Sequence, residues 1–257
     1  MIKTIFFDVD GTLVSHTQRA LPASAKRSLE RLKEKGIRRV VATGRHRMEL
    51  PELPVRGISF DGYITLNGQL CFDGEGRLIA SSPITGADKE HLLQLFVQKE
   101  LPILLVEKDD MYINFINPWV EAAQKAISTG LPRVGRYTGG EVYQVVAYLG
   151  RGREEELSPL LPGCKITRWN EYGVDIISSQ GGKAWGIQQY LAFTGLKREE
   201  TAAFGDGEND MDMLEFVEMG IAMGNGEEQV KRRANLVTAS VDEDGIEKAL
   251  VQLGLME

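Results

Sequence analysis

The apolar run Ile5-Phe6-Phe7, delivered straight into Asp8-Val9-Asp10-Gly11-Thr12, constrains this chain more than any other segment. A strand that is apolar at every position suits a sheet covered on both faces, which points to parallel α/β architecture rather than a half-solvated sheet. Two carboxylates two positions apart project to the same side of an extended backbone, and no Lys or Arg beside them in sequence neutralises them. Such a pair at the mouth of a sheet calls for a cation, and a divalent metal is the natural candidate. Gly11 and Thr12 allow a sharp turn and supply a hydroxyl and backbone N–H groups.

Both ends of the chain carry the alternation that this strand requires. The pattern predicts strands at Lys3–Phe7, Arg39–Ala42 and Gly62–Leu66, with a helix over Pro22–Lys35 that Pro22 opens and Gly36 stops. In the C-terminal quarter it predicts strands at Thr201–Phe204, Gly220–Met223 and Leu236–Val237, and helices at Lys183–Phe193, Asp212–Val217 and Asp242–Leu253. Strand, helix, strand in this order implies parallel pairing through right-handed crossovers.

The middle reads differently. Helices are expected at Asp88–Gln98 and Trp119–Ser128, and strands at Ile103–Val106, Met111–Ile116, Val142–Leu149, Lys165–Arg168 and Val174–Ile177. Strand runs mixed with two helices suggest an inserted α+β module, and Ser81-Ser82-Pro83 and Ser178-Ser179-Gln180-Gly181-Gly182 have hinge composition. The expected fold class is therefore α/β: a Rossmann-like parallel-sheet core (residues 1–81 and 180–257) carrying an inserted α+β cap domain (82–179).

Composition narrows the partners. Net charge is −7 and the densest basic cluster is Lys231-Arg232-Arg233, so the extended basic face that nucleic acid requires is missing. No apolar stretch approaches a membrane span, and the start of the chain does not resemble a signal segment. Cys71 and Cys164 show no metal-ligand spacing, and two free thiols in a cytoplasmic protein is the simpler reading. His16, His46 and His91 are scattered, with only His46 near the suspected chemistry. A monomer or small homo-oligomer is expected.

Ligands of open α/β sheets bind beyond the carboxyl ends of the strands. Three predicted strands end there in reactive residues: Asp8 and Asp10, Thr43, and Asp206 with Asn209 and Asp210; Lys183 opens a helix just after a Gly-Gly pair. Each suits a task in phosphoryl transfer. Mg²⁺ takes carboxylate, water and phosphate oxygens, and would hold Asp8 and a phosphate together despite their shared charge. Asp8 then serves as nucleophile and Asp10 as general acid and base. Thr43 and Lys183 donate to the phosphoryl oxygens, Asp206 completes the metal shell, and Asn209 and Asp210 orient it. Arg45 has two readings, a substrate ligand or a partner for the acids around it.

Four motifs, DVDGT at 8–12, TGR at 43–45, Lys183 before a helix, and GDGEND at 205–210, together resemble the haloacid dehalogenase superfamily, in its Cof-type group of phosphatases with a large C2-type cap. The resemblance implies Mg²⁺ bound by Asp8, the backbone carbonyl of Asp10, and Asp206. It implies a mobile cap, and a substrate-facing loop at Asn67 and Gly68 beside Gly44 and Arg45. One departure is visible: the family commonly has Gly after the motif lysine, where this chain has Ala184. Dehalogenases of the superfamily lack the second aspartate, so Asp10 favours phosphoryl transfer. The expected activity is Mg²⁺-dependent hydrolysis of a small phosphorylated metabolite, sugar phosphates first, through an aspartyl-phosphate. A phosphomutase, or a phospho-ligand sensor without catalysis, are the alternatives. The mutase would draw on cap residues such as Arg133, Arg136, Arg151, Arg153 and Arg168. Trp119, Asn114, Asn117, Trp169, Asn170, Glu171 and Tyr172 could read a substrate ring or simply build the cap.

Overall fold

The computed structural model describes residues 1–127 and 129–257. The chain begins with β1 (Thr4–Phe7), α1 (Ala23–Glu34), β2 (Arg38–Ala42), β3 (Gly62–Thr65), β4 (Leu70–Asp73) and β5 (Leu78–Ser81). It continues through α2 (Gly86–Gln98), β6 (Ile103–Val106), β7 (Met111–Ile113), α3 (Pro118–Ile127), β8 (Gln144–Tyr148), α4 (Glu154–Leu157), β9 (Cys164–Asn170) and β10 (Gly173–Ser178). It closes with α5 (Lys183–Thr194), β11 (Thr201–Gly205), α6 (Met211–Phe216), β12 (Met219–Ala222), α7 (Glu228–Lys231), β13 (Leu236–Val237) and α8 (Gly245–Gln252). Two compact units result: Met1–Ser81 with Gly182–Glu257, and Ser82–Gly181.

Among the described residues, the first unit holds an eight-stranded sheet in the order β13-β12-β11-β1-β2-β3-β4-β5. Pairing is parallel from β13 to β3. The β1 strand sits between β2 and β11, so both of its edges are paired and all four of its residues are buried. Alternation along the strand sends Ile5 and Phe7 into one layer and Phe6 into the other. Leu29 and Leu32 of α1, with Ile246 and Leu250 of α8, cover the first face, where Phe7 stacks on Phe204 at 5.3 Å. Ile187 and Tyr190 of α5, with Met213 and Leu214 of α6, cover the second. The continuous apolar run is thus a strand buried on both sides.

Two features of this unit depart from the sequence reading. The sheet does not stop at β3: β4 and β5 extend it antiparallel. Leu66 (φ 53°), Asn67 (φ 53°) and Gly68 (φ 90°) take the left-handed conformation that reverses the chain. The closing helix also starts later than expected. A short 3₁₀ turn at Val241–Glu243 ends at Asp244 (φ 60°), and α8 begins at Gly245.

Among the described residues, the second unit carries a five-stranded antiparallel sheet in the order β7-β6-β8-β10-β9. Leu92 and Phe96 of α2 join Ile103, Leu105, Val145, Ala147, Val174 and Ile176 in its core. The predicted helix at 119–128 appears as Pro118–Ile127, and Ser128 lies outside the described residues. Asn114 and Asn117 are structural. Asn114 accepts from the Ile103 N–H and donates to the carbonyls of Phe96 and Leu101, while Asn117 accepts from the Trp119 and Val120 N–H groups at the start of α3. In the acidic run 154–156, Glu154 takes a two-pronged bond from Arg168 at 2.9 and 2.5 Å. Cys71 and Cys164 are free thiols, and among the described residues no helix is long and apolar enough to cross a membrane.

Leu32→Ala removes a fully buried side chain between α1 and the sheet. It is expected to cost about 2–5 kcal/mol in urea unfolding. A loss below about 1 kcal/mol would mean that this face carries little of the core's stability.

Candidate active site

Five parallel strands, β12-β11-β1-β2-β3, bring their carboxyl ends to one edge of the sheet. There β1 runs into Asp8, β2 into Thr43, β3 into the Leu66–Gly68 turn, β11 into Asp206, and β12 into the loop that holds Asn225. Every site residue expected from the sequence lies in the first unit.

The centre of the site is a buried ion cluster. The Lys183 ammonium donates to Asp8 Oδ1 at 2.7 Å and to Asp210 Oδ1 at 2.5 Å, with all three side chains nearly or fully buried. Lys183 is the first residue of α5, and Ala184 keeps the register by donating its N–H to Asp212 Oδ2 at 3.3 Å. The departure from the family's Gly at 184 therefore leaves the lysine in place. Gly68 packs against the same junction. A Cβ there would lie 1.9 Å from the Gly182 carbonyl oxygen, and the φ of +90° independently favours glycine.

Asp210 spends its second oxygen on the backbone. Its Oδ2 accepts from the N–H groups of Asp206 and Gly207, both at 2.9 Å, which shapes the loop after β11. Asp206 is held in turn by Thr12, whose hydroxyl donates at 3.0 Å, and by the Asn225 amide at 3.2 Å. Gly11 allows this approach, since a Cβ at that position would sit 2.1 Å from Asp206 Oδ2. Asn209 donates to Asn67 Oδ1 at 2.9 Å, and a Cβ on Gly44 would meet that same oxygen at 2.9 Å. Thr43 is buried, and its Oγ1 accepts from the Arg45 N–H at 3.2 Å while keeping its own proton to donate.

Carboxylate oxygens of Asp8, Asp206 and Asp210 lie within 4.8 Å of one another. Burial raises the Asp8 carboxyl well above the usual range, with Asp210 adding to the rise and Lys183 opposing it. Burial and Asp210 push Asp206 up to about 7. Lys183 stays charged, since its two acids outweigh the burial that would deprotonate it. When all three are ionised, the carboxylates outnumber the one ammonium by two charges, which one divalent cation would offset. The donor set is all oxygen, as hard ions such as Mg²⁺ prefer.

The Asp10 carboxylate is not part of the three-acid cluster but is gripped by Arg45, with Nε at 2.7 Å from Oδ2 and Nη2 at 2.9 Å from Oδ1. Arg45 is engaged with the acids around it, the second of the two readings left open above. Sequence reasoning also missed Asn225, which bridges the Gly11 carbonyl (2.8 Å), Asp206 and the Val241 N–H (2.8 Å). Its signal was available: Gly224-Asn225-Gly226 follows a strand at the reactive edge.

Known proteins share this fold. The model of the haloacid dehalogenase-like hydrolases matches residues 5–250. A haloalkanoate-superfamily phosphatase, BT1666 of Bacteroides thetaiotaomicron, superposes with a TM-score of 0.91 at 32% identity, covering 100% of this chain and 96% of that one. The subclass IIB sugar phosphatase BT4131 gives 0.88 at 35% identity over 99% and 100% of the two chains. The Bacillus subtilis 5-amino-6-(5-phospho-D-ribitylamino)uracil phosphatase YitU is 29% identical over 96% of this chain and 95% of its own. The fold and the family match define a phosphoric monoester hydrolase. The chain belongs to the haloacid dehalogenase-like hydrolases, in their Cof-type subclass IIB.

Because Asp8 and Asp206 hold protons in the folded chain at pH values where the unfolded chain has lost them, the metal-free protein should lose stability as pH rises from 5.5 to 8. The thermal midpoint without metal is expected to fall over that interval, and Mg²⁺ to raise it more at pH 8 than at pH 5.5. A metal-free midpoint that climbs instead would refute the raised carboxyls. Gly68→Ala should displace the Lys183 junction and lower both the thermal midpoint and turnover; unchanged turnover would show that the close approach is dispensable.

Proposed function

We propose that the chain is a Mg²⁺-dependent phosphatase of small phosphorylated metabolites, acting through an aspartyl-phosphate on Asp8. The observation that carries this reading is Asp8 itself: a buried carboxylate at the end of the central strand, oriented by Lys183 and flanked by Asp206 and Asp210. Asp8, Asp206 and the backbone carbonyl of Asp10 would hold the ion, which when bound neutralises charge between carboxylate and phosphate and polarises the phosphoryl group.

The chain's own groups do the rest. An Asp8 oxygen attacks phosphorus as the bond from phosphorus to the leaving oxygen breaks, and Asp10 gives its proton to that oxygen. Water then attacks the same phosphorus, its proton passes to Asp10, and the bond to Asp8 breaks to release phosphate. Lys183 and Thr43 donate to the phosphoryl oxygens, where negative charge concentrates. Asp210 and Asn225 act at a distance from phosphorus by fixing Lys183 and Asp206. Asn67, Gly68 and Gly44 form the wall that Asn209 ties to the metal loop.

Two relatives act, by their names, on a sugar phosphate and on a phosphorylated ribityl compound, which supports phosphorylated polyols and sugars as the first substrates to try. We assign substrate choice to the inserted unit, Ser82–Gly181. Three of the five arginines named above are paired with acids, Arg133 with Asp110, Arg153 with Glu156 and Arg168 with Glu154, which supports hydrolysis over a mutase's hold on a second phosphate.

Phosphate release from a panel of sugar phosphates and other phosphomonoesters, with Mg²⁺ and with EDTA, tests the reading. Turnover is expected with Mg²⁺ only. Asp8→Asn should leave less than about a thousandth of wild-type activity, since an amide is a poor nucleophile. Turnover that EDTA does not touch, or a largely active Asp8→Asn variant, would overturn it.

A further inference from the structure

Asp10 is asked to hand a proton to one oxygen and take it from another, so its carboxylate must be held where both transfers reach. The structure shows what holds it. Arg45 meets both Asp10 oxygens at once, 2.7 Å from Nε and 2.9 Å from Nη2, which fixes the plane of the carboxylate as well as its position. Each carboxylate oxygen accepts in two directions, so this grip leaves a site on each for the transferred proton.

Arg45 is itself held from three sides. Its N–H donates to Thr43 Oγ1, its carbonyl accepts from the Leu66 N–H at 3.2 Å, and its Nη1 reaches Glu49 Oε1 at 3.4 Å. Glu49 is locked by its own turn. Its Oε2 accepts from the His46 N–H at 2.8 Å, and its N–H donates to the His46 carbonyl at 3.0 Å. His46 Nδ1 accepts from the Met48 N–H at 3.1 Å, which fixes the start of the 3₁₀ turn Arg47–Glu52. A rigid turn thus supports Glu49, Glu49 supports the guanidinium, and the guanidinium supports Asp10. Two acids on one guanidinium also account for its charge being held firmly despite partial burial.

We propose that Arg45 is a positioning residue for Asp10, braced by Glu49, and not a ligand for the substrate's phosphate. The proposal rests on the reading of Asp10 as the group that protonates the leaving oxygen. It fits the choice of arginine, because lysine carries the same charge but cannot meet both carboxylate oxygens from a planar fork.

Leaving-group dependence tests both claims and separates them. Phenyl phosphate and p-nitrophenyl phosphate share a ring, but phenolate needs a proton far more than p-nitrophenolate does. The value of kcat/KM reports only the steps through departure of the phenol. In Mg²⁺ buffer it is measured for wild type, Asp10→Asn, Arg45→Lys and Glu49→Gln on both substrates.

Asp10→Asn should lose much more on phenyl phosphate than on p-nitrophenyl phosphate; equal losses would overturn the acid role of Asp10 and the inference with it. Arg45→Lys should show the same bias, with an extra loss on phenyl phosphate of roughly tenfold or more, a fraction of the range that general acids contribute. Glu49→Gln should show it in weaker form, about threefold, and it decides the matter if the lysine variant is unfolded by circular dichroism. If Asp10→Asn shows the bias and Arg45→Lys loses equally on both substrates, or only raises KM for both, Arg45 serves binding or structure and the inference fails.

Discussion

The buried contact of Lys183 with Asp8 and Asp210 is the interaction on which the rest of this site depends. It joins the end of the central strand, the start of α5 and the loop after β11 at one ammonium group. Removing one partner from such a cluster leaves an uncompensated buried charge, at a cost of about 3–5 kcal/mol. The three elements therefore hold one another in place. The same cluster holds more carboxyl groups than cationic ones, so the contact that fixes the site also gathers oxygen donors at one point.

Around this centre the glycines work by subtraction. Gly11 lets Asp206 approach the first loop, and Gly68 lets the turn after β3 pack against the peptide that precedes Lys183. Either position with a side chain would push an acid or a backbone carbonyl out of place. Hydroxyl and amide groups then fill the shell, Thr12 and Asn225 on Asp206, Asn209 on Asn67. Two charge systems result: an acid-rich one around Asp8, and a second in which one guanidinium, Arg45, faces Asp10 and Glu49. Asp8 and Asp10 are two residues apart in sequence, yet they sit in different electrostatic surroundings.

Much of the fold was legible before the structure. Short continuous apolar runs located β1, β2, β3, β11, β12 and β13, because a doubly covered sheet leaves that pattern in sequence. The β4–β5 hairpin was not legible, since its strands are short and follow a turn whose left-handed residues include Leu66, an unusual choice there. The late start of α8 was hidden for a similar reason, as Asp244 in the left-handed region interrupts an otherwise amphipathic stretch. In the inserted unit, the polar residues that could have read a substrate include Asn114 and Asn117, whose hydrogen bonds are spent on neighbouring backbone.

The sequence by itself determined the class of sheet and the chemical inventory at its edge. Apolar runs ending in Asp8, Thr43 and Asp206 are local patterns, and the spacing of DVDGT, TGR and GDGEND survives in one dimension. Only the tertiary structure decided who pairs with whom. Arg45 is 35 residues from Asp10, and Asn225 is 214 from Gly11, so nothing in their neighbourhoods reveals the contact. Charge partners are chosen by folding because a guanidinium or an ammonium takes the carboxylate that the packed strands place within reach. Sequence supplied the acids and the cations; strand order assigned Lys183 to Asp8 and Arg45 to Asp10.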